Sequence, residues 1–185
     1  MHRREVLQFL GAAMFSPLLA PLSAEERWRA GTRLHEESGG PQAGAGLSPT
    51  QLVLVTALAD TLIPRTDTPG AVDVEVPRFV DHLVAAWYPD PDRAEIDAGL
   101  DAIDARAVGW GGKPFADLDP AGKAPILTGL DRRANPTDPA EAGWLRVRDA
   151  IVFGYVTAKP IAALLATTPM IPGRFDGCVP VGAPR

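Results

Sequence analysis

From residue 47 onward, apolar residues recur at helical spacing, and the stretches between them carry helix-start signals. Ser48-Pro49-Thr50-Gln51 reads as a capping box, with Ser as N-cap, Pro at the first helical position and Gln at the third. The helix it opens carries Leu52, Val53, Val55, Leu58, Ala59 and Leu62 on a broad apolar face and stops at Pro64. A loop from Arg65 to Ala71 turns the chain, and Pro77 then starts a second helix. Its apolar face is Phe79, Val80, Leu83, Val84 and Trp87, and it ends before Pro89. Asp90-Pro91 repeats the cap-then-proline signal, and Ile96, Leu100, Ile103 and Ala107 follow as one buried stripe. Asp119-Pro120 opens another helix, with Ile126, Leu127 and Leu130 inward. Asp138-Pro139-Ala140-Glu141 reads as a further capping box. The longest periodic stretch follows it (Trp144, Leu145, Val147, Ile151, Val152, Tyr155, Val156), and Pro160 kinks or ends that helix. Ile161 to Leu165 adds one more turn. No segment sustains period-two alternation, so no sheet is expected. The pattern predicts an all-α fold, a compact bundle of about five short proline-capped helices over residues 47–167.

The two ends follow other rules. Residues 1–24 open with Met1-His2-Arg3-Arg4-Glu5, continue as a modestly apolar run and close on the small residues of Leu22-Ser23-Ala24. A charged start, an apolar stretch and small residues at its end describe an export signal. Arg3 and Arg4 ahead of a Gly- and Ala-diluted run favour the twin-arginine route. An apolar run of about 15–18 residues containing Pro17 and Pro21 is short for a membrane span. Residues 25–46, ending in Ser38-Gly39-Gly40-Pro41-Gln42-Ala43-Gly44-Ala45-Gly46, read as a flexible linker. Residues 168–185 place proline or glycine every few positions among Met170, Ile171, Phe175, Val179 and Val181. Such a segment cannot form a helix, yet it is too apolar for a plain solvated tail. An extended strap on its own surface or a partner's reconciles the two.

Composition narrows the function classes. With 18 Lys+Arg against 23 Asp+Glu, the net charge of −5 argues against nucleic-acid binding, which needs a positive face. One Cys in 185 residues excludes an internal disulfide, a four-cysteine zinc site and covalent haem attachment through Cys-x-x-Cys-His. The 19 prolines predict that no helix runs very long.

No catalytic constellation emerges. There is no Gly-x-Gly-x-x-Gly, P-loop, Gly-x-Ser-x-Gly or His-Glu-x-x-His. A Cys178–His82 nucleophile–base pair is conceivable, but His82 reads better as a partly buried helix residue beside Asp81. Asp97, Asp101 and Asp104 share one helix face and read as solvated, since a metal would want further oxygen ligands from a loop. Trp87 and Trp144 fit helix faces and read as core, whereas Trp110, within Gly109-Trp110-Gly111-Gly112, is open to a core or an interface role. Cys178 stands apart: an unpaired cysteine in an exported protein points to a partner chain or a reactive thiol, against the plainer reading of an inert buried one.

Three stretches carry a family resemblance. They are Ala59-Asp60-Thr61-Leu62-Ile63-Pro64-Arg65-Thr66-Asp67-Thr68-Pro69-Gly70-Ala71, then Phe153-Gly154-Tyr155-Val156-Thr157, then Pro172-Gly173-Arg174-Phe175-Asp176-Gly177-Cys178-Val179-Pro180. With the Arg3-Arg4 signal, they resemble the small (gamma) subunit family of gluconate 2-dehydrogenase, also called subunit 3, over about residues 47–182. The chain departs from relatives at Thr157-Ala158-Lys159-Pro160, where they usually read Thr-Ser-Glu and a small residue.

The resemblance implies a non-catalytic subunit with no cofactor of its own. Members accompany an FAD-containing flavoprotein of the glucose–methanol–choline type that oxidises sugars, sugar acids or polyols, and a cytochrome c subunit often completes the complex. The small subunit is implied to support the partner's folding and carry it through the twin-arginine translocase to the periplasm. A flavin enzyme must close around its cofactor before export, so one signal per folded complex suffices. The family's tail cysteine maps onto Cys178, a candidate for an inter-subunit disulfide. Pro64, Arg65, Thr66, Pro69, Tyr155, Arg174 and Phe175, within the three motifs, become candidate interface residues. The alternatives are an uncleaved N-terminal anchor that tethers a partner to the membrane, and a free-standing exported enzyme.

Overall fold

The computed structural model describes residues 22–40, 45–131 and 138–167. Among these residues, seven α-helices run in order: α1 (Ala24–Ser38), α2 (Pro49–Leu62), α3 (Val76–Trp87), α4 (Asp90–Gly111), α5 (Pro120–Asp131), α6 (Pro139–Thr157) and α7 (Lys159–Thr167). A 3-10 turn, Phe115–Asp117, lies between α4 and α5, and no strand occurs among the described residues. The fold is all-α, as the periodicity predicts. The C-terminal strap and residues 1–21 of the N-terminal signal lie outside the described residues, while the last positions read as signal, 22–24, lead into α1.

Helix α1 corrects the reading of 25–46 as a linker. Ser23 caps it: its Oγ accepts from the Glu26 amide at 3.3 Å, and the Glu26 carboxylate accepts from the Ser23 amide at 2.7 Å. That reciprocal pair satisfies two amides that a bare helix start leaves open. Leu34 is fully buried against the body of the fold, so packing completes what the cap begins. The end of the supposed linker is also pinned. Asp81 Oδ1 accepts from the amides of Gly46 and Leu47, both at 2.8 Å, which ties the start of α2 to α3.

The capping box at Ser48 forms as read, with Gln51 returning to the Ser48 amide at 2.9 Å. Two other starts differ. Pro89, not Asp90, is the N-cap of α4, and no side chain caps it. Arg93 instead closes the α3–α4 corner by donating to the carbonyls of Tyr88 and Ala85. Asp138 caps α6 through the amide of Ala140 at 2.9 Å rather than that of Glu141. Glu141 is itself buried, with its carboxylate 3.8 Å from Arg106.

Proline sets where helices begin and does not keep them short: α4 has 22 residues and α6 has 19. These two make the most extensive contact of the fold. Their axes close on Gly99 and Gly143, where a Cβ on either residue would overlap the other's Cα. The core gathers on α6, where Trp144 and Ile151 are fully buried, together with Phe79, Leu58, Leu100 and Ile103. Trp87 is half-buried, and Trp110 is 65% exposed.

Candidate interaction site

The loop after α2 is exposed and is held by hydrogen bonds from several elements. Ile63 ends α2 by donating its amide to Ala59 at 2.9 Å, and Pro64, lacking an N–H, cannot extend the ladder. The chain then doubles back, and the Ala71 amide donates to Ile63 at 2.9 Å. Gly70 makes this closure possible, because a Cβ there would lie 2.7 Å from the Arg65 nitrogen and 3.0 Å from the Ile63 oxygen. The Asp73 carboxylate ties both limbs. One oxygen, Oδ2, accepts from the Gly70 amide and from Arg65 Nε, each at 2.7 Å. The Arg65 guanidinium, with help from that amide, holds the Asp73 carboxyl below the usual carboxylate range, and Asp73 in turn raises Arg65.

A third tie comes from far along the chain. The Tyr155 hydroxyl, on the last turns of α6, donates to the Pro69 carbonyl at 2.8 Å. Thus the first and second motifs of the resemblance meet in space. The result is a loop fixed from three sides, with Pro64, Arg65 and Thr66 exposed at its outer edge and Pro69 half-buried. Tyr155, a candidate interface residue, is half-buried and spends its hydroxyl within the chain.

The residues flanking Tyr155 face other partners. Phe153 meets Phe79 edge to face, with ring centroids 5.8 Å apart. The Gly154 carbonyl accepts from His35 Nε2 at 2.6 Å, and the His35 ring lies 4.5 Å from that of Phe79. Burial lowers the pKa of His35, opposed by its bond to Gly154 and the charge of Glu75, so the ring sits neutral with its proton on Nε2. The Phe153–Thr157 motif is therefore a junction of α1, α3 and the loop. Sequence reasoning placed it late in a long helix but had no signal for the partners on three sides.

The other candidates separate. Among the acidic row, Asp97 accepts from Gln51 Nε2 at 3.1 Å and Asp104 accepts from the Phe115 amide at 2.7 Å, so two of the three are structural ties and Asp101 alone faces solvent. This corrects the solvated-face reading. His82 is buried, with Nε2 at 3.4 Å from Glu37. Arg3, Arg4, Arg174, Phe175 and Cys178 lie outside the described residues, so a Cys178–His82 pair has no geometry here. Among the described residues, no group of three or more His, Cys, Asp or Glu side chains is arranged to hold a metal ion.

Residues 49–173 match the family described as gluconate 2-dehydrogenase subunit 3. The chain belongs to that family. The matched span begins at α2, includes the Pro64–Ala71 loop and the Tyr155 motif, and runs past the end of α7. Helix α1 precedes it. Membership in the subunit 3 family implies a subunit of a gluconate 2-dehydrogenase-type complex. No curated protein and no solved structure matches the chain. No helix among the described residues is long and apolar enough to cross a membrane.

Proposed function

We propose that this chain is the non-catalytic small subunit of a periplasmic, FAD-dependent sugar, polyol or sugar-acid dehydrogenase. Its catalytic partner is a flavoprotein of the glucose–methanol–choline type, which holds the FAD; in complexes of this kind a cytochrome c subunit often completes the electron path. The chain supports folding of the flavoprotein and, through Arg3 and Arg4, carries it to the twin-arginine translocase. Cys178 forms the inter-subunit disulfide.

One observation carries the reading: the family's loop is a pre-organised, outward-facing platform. Asp73, Tyr155 and the Ile63–Ala71 bond hold its backbone, while Pro64, Arg65 and Thr66 are exposed to another surface. A loop already ordered before binding loses little conformational entropy on association, which favours a stable contact. Arginine with a fixed guanidinium is a frequent centre of interface energy.

Co-expression of the tagged chain with a glucose–methanol–choline-type flavoprotein from the same organism tests this. The reading predicts co-purification as one complex and a band on non-reducing gels that shifts when Cys178→Ser is introduced. Recovery of the chain alone would overturn the subunit reading, and identical mobility of the two variants would remove Cys178 from it.

A further inference from the structure

The residues that read as the end of the export signal, Leu22-Ser23-Ala24, are also the start of helix α1, which runs Ala24–Ser38. Small residues at that point mark a bond for removal of the signal, the peptide link between Ala24 and Glu25. Ser23 is extended, with φ −64° and ψ 163°, but Ala24 and Glu25, on either side of the bond, are helical. Three backbone groups just before the bond are already spent. The Leu22 carbonyl accepts from Arg27 Nε at 2.8 Å, and the Ser23 amide donates to the Glu26 carboxylate at 2.7 Å. The Ser23 carbonyl accepts from the Arg27 amide at 3.0 Å. Just past the bond, Glu25 is paired with Arg29 at 2.6 Å. Leu22 packs half-buried against the core and Leu34, further along α1, is fully buried, so the stretch is fastened to the body at both ends.

We propose that helix α1 masks the cleavage bond of the export signal, Ala24–Glu25, so that hydrolysis there waits on unwinding of the helix's first turn. A peptidase holds its substrate as an extended strand and pairs with the backbone on either side of the scissile bond. Reach is not the obstacle, because Ser23, Glu25 and Glu26 are all exposed. Conformation is. The capping box and the Arg27–Leu22 tie must open before water can add across the bond, which leaves a carboxylate on Ala24 and an amine on Glu25. A helix turn opens and closes within microseconds, so cleavage follows the population that is open at any moment.

The masking rests on the twin-arginine reading of residues 1–24. A chain exported unfolded meets the peptidase with no α1 to hide the bond, whereas a chain exported folded meets it with α1 in place. The address therefore stays on the chain through the folded crossing. Its removal takes Ser23, the N-cap, away from α1.

Purified signal peptidase in detergent, acting on the purified full chain and on a synthetic peptide of residues 1–32, tests this. The peptide holds too little of α1 to keep it helical, so the same bond lies open. The expected result is cleavage of both at Ala24–Glu25, with the full chain cut about fivefold more slowly or slower still, since a helix cap alone contributes that factor. Ser23→Ala with Glu26→Ala, both at exposed positions, should speed the full chain about fivefold and leave the matching peptide unchanged. Leu34→Ala, which loosens α1 without altering residues near the bond, should speed the full chain as well. Equal rates for chain and peptide would overturn the masking and leave the export reading standing. A variant peptide that speeds as much as the variant chain would also defeat it, by placing the effect in recognition by the peptidase. A peptide left uncut, or cut at another bond, would sink the masking and the cleavable signal together.

Discussion

The Tyr155 hydroxyl bonds the Pro69 carbonyl across 86 residues of sequence, and so fastens the exposed loop of the fold to its central helix. The loop's shape is therefore set partly by α6. Tyr155→Phe removes the donor and leaves the carbonyl without it, a change that costs about 1 kcal/mol. Amide hydrogen exchange should speed up over residues 65–71 while the α4 amides keep their protection. Unchanged loop exchange would show that the hydroxyl holds nothing.

Arg65 separates binding from stability. Its side chain is 73% exposed and its pair with Asp73 lies at the surface, where solvent screens an ion pair and leaves it little share in folding stability. Arg65→Ala should leave the melting temperature nearly unchanged and weaken flavoprotein binding by about tenfold, as loss of an interface arginine does. Equal affinity for the two chains, measured by calorimetry, would place the contact elsewhere.

Two glycines of α4 give opposite answers to one substitution. Gly99 faces Gly143 with no room for a Cβ, so Gly99→Ala pushes α4 off α6 and costs about 1–3 kcal/mol. Gly109 has nothing within 4 Å of its would-be Cβ, so Gly109→Ala gains helix propensity, about 1 kcal/mol. Thermal melts of both variants check the signs. A stable Gly99→Ala would mean the helices do not close at this point.

His35 makes stability depend on pH. Its folded pKa lies below the ordinary value of about 6.5, so the unfolded chain binds the proton more readily. The contribution of neutral His35 is fully present above about 6.5 and is lost as pH falls from there toward the folded value. Melting temperature should decline over that interval, and His35→Gln, which keeps a donor toward Gly154, should flatten the decline. A variant with the same acid slope would assign it to other groups.

What the sequence revealed and what it hid divide along range. The start of α2 is legible because Ser48, Pro49 and Gln51 act on one another within a single turn. The loop is legible because Pro64 and Gly70 have backbone requirements of their own. Helix α1 carries the same kind of signal, Ser23-x-x-Glu26, but its N-cap falls within residues that also fit the end of an export signal. The Gly99–Gly143 crossing, the bonds that draw Asp97 and Asp104 inward, and the Tyr155–Pro69 tie join residues between 11 and 86 positions apart. No local spacing encodes such pairs. The platform was visible as a motif, but its rigidity was not.

The central proposal is that this chain carries a flavoprotein partner to the periplasm in folded form. The most direct measurement is dehydrogenase activity in the periplasmic fraction of cells expressing the flavoprotein with the wild-type chain, with an Arg3→Lys, Arg4→Lys variant, or without the chain. The account predicts periplasmic activity with the wild-type chain and its loss in the other two cases, with flavoprotein retained in the cytoplasm for the arginine variant. Full periplasmic activity from the flavoprotein alone would contradict it.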